Sequence, residues 1–272
     1  MRTGYYAITL TVILVSVGIG VGQRWSRRAP DLNDERDRNG VPLWQADGEF
    51  QHDKFTFVRI RYSSYVDHWR RGKWATDYPD SDLNFSYRLQ ELTSLEVNPV
   101  PVILELSDPE LFDYPFIYLI EPGHIQLTEV EVKSLRRYLL NGGFLMVDDF
   151  WGQDEWYTFY YQLKRVFPDR EPIELPLEHE IFRCVYELDE KPQIPSINVA
   201  FSGRTYERWD AQEPHYRAVF DDDGRMMAII CHNTDLGDGW EREGVDPWYF
   251  KEFSEKRAYP LGINIVVYAM TH

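Results

Sequence analysis

The chain is short of cysteine and of positive charge. Only Cys184 and Cys231 occur in 272 residues. Two thiols do not make a disulfide framework. They could pair after export, but both lie in strand-like apolar runs, where free buried cysteine is common. There is no HExxH, no CxxC pair and no glycine-rich phosphate loop, so the usual zinc-hydrolase, zinc-ribbon and P-loop signatures are missing. Lys and Arg number 29 against 45 Asp and Glu, a net charge of −16. Residues 1–30 hold four arginines and no acid, which leaves −20 on the remainder. Such a body does not bind nucleic acid or anionic lipid by general electrostatics. It suits a soluble surface, a cation site or a basic partner. Repeats and low-complexity segments are absent, and a long apolar run occurs only at 5–22.

That run, YYAITLTVILVSVGIGVG, reads as an export signal or a single membrane anchor. Gly20 and Gly22 offer small residues for cleavage, whereas Arg24, Arg27 and Arg28 favour a cytoplasmic flank. Residues 1–24 are therefore assigned as signal peptide or anchor, 25–54 as a polar linker without periodicity, and 55–272 as one α/β domain. The expected location is the periplasm or cell envelope, with the membrane touched only through the N-terminal hydrophobic helix.

Within the domain, FTFVRIRY at 55–62 alternates as a strand. Asp80 or Ser81 begins a helix whose buried face is Phe85, Leu89 and Leu92. PVILEL at 101–106 and FIYLI at 116–120 are strands, the second apolar enough to be covered on both faces. Thr128 and Glu131 make a T-x-x-E capping box, and Gly142-Gly143 ends that helix before the strand at 144–147. Strand, helix and strand over this span imply a right-handed parallel crossover. Further strands are expected at 172–177, 181–186 and 225–231, and helices at 155–167, 246–256 and 261–270. Residues 191–212 read as irregular and 232–244 as a polar loop. The predicted architecture is a three-layer, open, mostly parallel sheet.

In such sheets ligands bind outside the carboxyl ends of the strands. Four polar segments should gather there. They are the loop with Trp74, Asp77, Asp82 and Asn84; the turn with Glu121 and His124; Asp148, Asp149 and Trp151; and the loop with His232, Asn233 and Asp235. Asp148-Asp149 is the sharpest feature, read either as a cation ligand or general base, or as a helix cap beside a solvated acid. Asp77 and Asp82 could add oxygens to a divalent-metal site there, or simply start a helix. His124 and His179 are candidate bases or ligands, or structural. Cys231-His232 has a nucleophile-base look but leads into a loop rather than a strand-to-helix elbow. Trp69, Trp74, Trp151, Trp156, Trp240 and Trp248 either form a stacking platform or seal loops onto the sheet. No metal or cofactor is assigned.

FVRIRY, WATDYPDSDLNF at 74–85, EPGHIQLTEVEVKSLRRYLLNGGFLMVDDFWG, LEHEIF and LGINIVVYAMTH together resemble the bacterial domain of unknown function 4159 family, over roughly 55–272. The resemblance implies a flavodoxin-like sheet of the class I glutamine-amidotransferase type and no known activity. The nucleophile of that superfamily is a cysteine at a tight elbow. No matching elbow is found in this sequence, so its triad is not carried over. The functional expectation is a non-catalytic module binding a small polar ligand, a glycan or an envelope protein. The alternative is a hydrolase, with or without a divalent metal, using strand-end carboxylates.

Overall fold

The computed structural model describes residues 38–42, 44–45, 54–64 and 72–272. The apolar run at 5–22, Trp69 and most of the expected linker lie outside them. No helix among the described residues is long and apolar enough to cross a membrane.

The elements are β1 (Val58–Arg61), α1 (Asp80–Leu92), β2 (Val102–Glu105), β3 (Phe116–Ile120), α2 (Glu129–Leu140), β4 (Phe144–Asp148), α3 (Gly152–Val166), β5 (Ile173–Glu174), α4 (Ile197–Phe201), β6 (His215–Phe220), β7 (Met226–His232), α5 (Leu236–Glu241), α6 (Pro247–Tyr249), a π-helical stretch (Phe250–Ala258) and α7 (Tyr259–Thr271). They build one seven-stranded sheet in the order β2-β1-β3-β4-β7-β6-β5. The first five strands in that order are parallel, and β6 and β5 extend one edge antiparallel.

Every residue of β3, β4 and β7 is buried, because helices cover both faces. Side chains alternate between two cores. Phe116, Tyr118, Met146 and Ile229 meet Phe85 and Leu89 of α1, Trp240 of α5 and Ile263 of α7. Ile117, Leu119, Leu145 and Val147 meet Leu135 and Leu139 of α2 and Phe159 and Leu163 of α3.

The crossover follows from its local signals. Glu131 N donates to Thr128 Oγ1 (3.3 Å) and Thr128 N to Glu131 Oε2 (2.7 Å), closing the capping box. The two glycines that end α2 do different work. Gly142 takes φ +102°, which glycine tolerates. Gly143 has Tyr138 so close that a Cβ would lie 2.3 Å from the ring.

Several expectations at the C-terminal half are corrected. Residues 181–186 are not a strand; a short 3-10 turn, Glu180–Phe182, is followed by loop. The amides of Val185 and Tyr186 donate to Asn264 Oδ1 (3.1 and 2.8 Å), so a side chain of α7 takes the place of a neighbouring strand. The expected strand at 172–177 shrinks to the two residues of β5. An additional strand, β6, forms a hairpin with β7. The polar loop after His232 contains α5, started by Asp235, whose Oδ1 accepts from Asp238 N (2.7 Å). The irregular 191–212 segment contains α4. The last two expected helices are joined through the π-helical stretch. Cys184 and Cys231 are both free, and Cys231 is fully buried in β7. Arg38 of the linker donates to Asn84 Oδ1 (2.7 Å) and Val41 is buried, so this part of the linker lies on the domain.

Candidate active site: an acidic crevice at the strand ends

Three adjacent parallel strands end side by side. Ile120 of β3 is in register with Asp148 of β4, and Val147 of β4 with Ile230 of β7. Each strand is followed at once by a non-glycine residue in the left-handed region: Glu121 (φ 47°), Asp149 (φ 55°) and Asn233 (φ 62°). Asp77, from the loop between β1 and α1, has φ 60°. Side chains with a Cβ adopt this conformation at a cost of roughly 1 kcal/mol or more each. Neighbouring backbone holds them there: Glu121 N donates to Asp148 O (3.0 Å) and Asn233 N to Phe150 O (2.9 Å).

The Asp77 loop is held by a buried arginine. Arg59 of β1 gives Nε to both carboxylate oxygens of Asp82 (3.1 and 2.9 Å) and Nη1 to the carbonyls of Trp74 (3.0 Å) and Thr76 (2.9 Å). Its Nη2 donates to Ser81 Oγ (2.9 Å), and the guanidinium lies over the Tyr118 ring. Arg59 and Asp82 are both wholly buried. Asp82 is therefore fully used in fastening the loop, and Asp77 is what the loop presents.

Two sets of carboxylates come together around Asp77. One is Asp77, Asp149 and Asp235; the other is Asp77, Asp238 and Glu241. In each set the ligand atoms all lie within 4.8 Å of one another. Asp148 sits behind them, wholly buried, with Oδ2 accepting from Tyr118 Oη (3.0 Å) and from Gly237 N (3.1 Å). Its Oδ1 has no hydrogen-bond partner, nor does Asp77 Oδ2, which solvent does not reach although Asp77 as a residue is part-exposed. Gly237 permits this crowding, since a Cβ there would lie 2.6 Å from Asp77 Oδ2.

Proton affinities follow from the crowding. Burial pushes the Asp148 carboxyl up to about 7, against the pull of the Tyr118 and Gly237 hydrogen bonds. Burial also raises Glu241 to about 7, countered by Arg242. Asp77 is raised well above the carboxylate range by burial and then by Asp238 and Glu241. Asp149 is raised by burial and then by Glu121 and Asp77, and Asp235 by burial and then by Asp149 and Asp77.

The other candidates fall in three places. At the rim, Glu121 accepts from Thr76 Oγ1 (2.8 Å) and pairs with Lys73. Trp151 is buried, with Nε1 donating to Asp149 Oδ1 (3.0 Å) and its amide to Glu155 Oε2 (2.7 Å). His124 Nε2 lies 3.8 Å from Glu155 Oε1. Asn84 and Trp74 are structural: Asn84 Nδ2 donates to Trp240 O (2.9 Å), and Trp74 is partly buried against the second core. His179 is elsewhere. It caps the 3-10 turn by accepting from Ile181 N (3.2 Å), and its ring faces Tyr268 of α7. The described tryptophans do not form one platform, since Trp240 is wholly buried in the first core while Trp248 stacks on Phe201 at the surface.

Cys231 and His232 do not form a nucleophile-base pair. Burial raises the Cys231 thiol well above its ordinary value. His232 is engaged by Gly152 O (3.0 Å) and Arg217 Nη1 (3.2 Å). A left-handed residue does stand at the corner between β4 and α3, but it is Asp149 rather than a cysteine. Sequence reading missed Arg59, Asp238, Glu241 and Arg242. The D-x-x-D-x-x-E spacing of 235–241 was the available signal, since a helix brings such positions to one side.

No curated protein matches the chain. The family model described as domain of unknown function (DUF4159) matches residues 56–270, which includes the whole sheet and every carboxylate of the crevice, and the chain belongs to that family.

Proposed function

We propose that the domain is a non-catalytic binding module of the cell envelope, exported or membrane-tethered through residues 1–24, with the acidic crevice as its ligand seat. One observation carries this reading. Three neighbouring strands each end on a left-handed non-glycine residue, and Asp77 meets them in the same conformation. Backbone strain of this kind gathers where function requires a fixed geometry, and the edge concerned is the one where open α/β sheets bind ligands. The order β2-β1-β3-β4-β7 of the parallel strands supports a flavodoxin-like sheet of the class I glutamine-amidotransferase type. Among a small polar ligand, a glycan or an envelope protein, an acid-lined seat favours those that bring hydrogen-bond donors or positive charge. Nucleic acid is disfavoured by the charge of the domain.

The test is capture from envelope extracts by immobilised full-length protein, wild type against an Asp77→Asn/Asp149→Asn double variant. The variant should lose what the wild type retains. Unchanged capture removes the crevice as the seat.

A hydrolase using strand-end carboxylates is the second reading. Asp149 favours it, because a buried carboxylate of raised proton affinity at a strand-to-helix corner suits general-base work. Turnover in an esterase, amidase and glycosidase screen that vanishes in Asp149→Asn would move the assignment there.

A further inference from the structure

We propose that Asp77, Asp149 and Asp235 form a site for one calcium-sized divalent cation. The inference deepens the reading of this crevice as the ligand seat and rests on it.

The two carboxylate sets around Asp77 differ in how their charge is met. Asp238 and Glu241 already face a cation: Arg242 Nε lies 3.2 Å from Asp238 Oδ1, and its Nη2 2.7 Å from Glu241 Oε2. Asp238 Oδ2 also accepts from Ile197 N (2.9 Å) and Tyr249 Oη (3.2 Å). Of Asp77, Asp149 and Asp235, two meet positive charge at longer range, Asp77 from Arg59 and Arg242 and Asp149 from Lys73. Among the described residues, none of the three is in an ion pair. Asp149 accepts from Trp151 Nε1 and Asp235 from Asp238 N, each leaving lone pairs unused. Lys73 is committed to Glu121.

A second observation is independent of the triad's own geometry. Asp148, which belongs to neither set, is wholly buried beside them, and its Oδ1 has no donor in good hydrogen-bonding geometry, although the amides of Asp149 and Leu236 act on the carboxyl. Buried carboxylate oxygens are ordinarily hydrogen-bonded or bound to a metal. Asp77 Oδ2 also has no hydrogen-bond partner. Gly237 adds a cradle, since any side chain there would occupy the space against Asp77 Oδ2.

The donor set and its spacing indicate the ion. All ligands are oxygens, with no imidazole or thiolate, which selects hard cations. With all three atoms within 4.8 Å of one another, an ion can lie within about 2.8 Å of each. Three protein carboxylates on one ion suit calcium, which takes six to eight oxygens in flexible geometry, whereas magnesium keeps several waters and is held by one or two carboxylates. Asp149 directly follows β4, Asp235 caps α5 and Asp77 lies on the loop that Arg59 holds, so three separate elements fix the three carboxylates.

Calcium, magnesium and manganese chlorides are titrated separately into chelator-treated full-length protein by calorimetry. The expected result is one calcium per chain, bound at least tenfold tighter than magnesium, with affinity down at least tenfold in Asp77→Asn and in Asp149→Asn. Asp222→Asn, at a remote exposed turn, should bind as wild type. Absence of calcium binding at millimolar concentration, or unchanged binding in both crevice variants, overturns the proposal. A measurement on folded wild type covers the case of variants that fail to fold. Terbium in the site should show emission sensitised by Trp151, whose Nε1 is 3.0 Å from Asp149 Oδ1, and calcium should displace it. Terbium bound with no sensitised emission overturns the assignment to this site. The two readings also fail separately. Partner capture lost in the variants with no ion bound overturns the ion alone, and ion binding with capture unchanged overturns the partner seat alone.

Discussion

Arg59 and Asp82 form an ion pair that solvent does not reach, with Arg59 Nε 2.9 Å from Asp82 Oδ2. The same guanidinium holds the carbonyls of Trp74 and Thr76, in the stretch leading directly into Asp77. The pair therefore joins the first strand to the loop that supplies one wall of the crevice.

Removing either partner leaves a buried charge uncompensated. Arg59→Ala or Asp82→Ala should cost about 3–5 kcal/mol, read as a shift of the urea midpoint. Arg59→Lys should recover little of it, because an ammonium cannot span the acceptors that the planar guanidinium reaches. A lysine variant as stable as wild type would show that the fork is not what fastens the loop.

Gly237→Ala sets two effects against each other. Alanine in a helix is ordinarily better than glycine by up to about 1 kcal/mol. Here the new methyl would lie 2.6 Å from Asp77 Oδ2 and 3.1 Å from Tyr118 Oη. The clash should win, with a net loss of about 1–3 kcal/mol and weaker calcium binding as Asp77 is displaced. Stability equal to or above wild type in chemical denaturation would show that Asp77 gives way freely.

His232 predicts a pH dependence. Its pKa is lowered from 6.5 to about 3 by burial, and Arg217 facing Nδ1 adds to this. The unfolded chain takes up the proton near 6.5 and the folded protein does not until about 3. This contribution to stability is thus complete above pH 6.5 and is lost as pH falls toward 3, with a slope of up to about 1.4 kcal/mol per pH unit. In His232→Gln the difference from wild type should shrink on acidification across that window. A constant difference from pH 7 to 4 contradicts it.

Asn264→Leu tests the substitution of a side chain for a strand partner. Asn264 accepts from the amides of Val185 and Tyr186 and donates to Tyr186 O (2.8 Å). Leucine fills the space but leaves these groups unpaired, at about 1–3 kcal/mol for each. Hydrogen exchange at Val185 and Tyr186 should accelerate with the loss of stability. Unaltered protection would mean that other acceptors hold this loop.

The central crossover was legible because its signals are local. Thr128 and Glu131 lie one helical turn apart, FIYLI is apolar throughout, and FLMVD is apolar at every position but the last. The edge of the sheet was not. HYRAVF became a strand only because β7 offers it a partner, and the apolar residues of 181–186 lost that state to Asn264, 78 residues or more away in sequence.

The site divides in the same way. Glu121, Asp148, Asp149 and Trp151 were visible because each stands at the end of an apolar run, and strand ends form an edge whatever the order of the strands. Asp82 looked equivalent to Asp77 in D-Y-P-D-S-D, and only the position of Arg59 separates the fastening carboxylate from the presented one. The sequence alone therefore determined the α/β class, the acidic character and the family, since periodicity, composition and contiguous motifs report them. Which acids meet was decided by the tertiary structure, because charge crowding within 4.8 Å depends on loops from β1, β4 and β7 converging, and no local pattern encodes that distance.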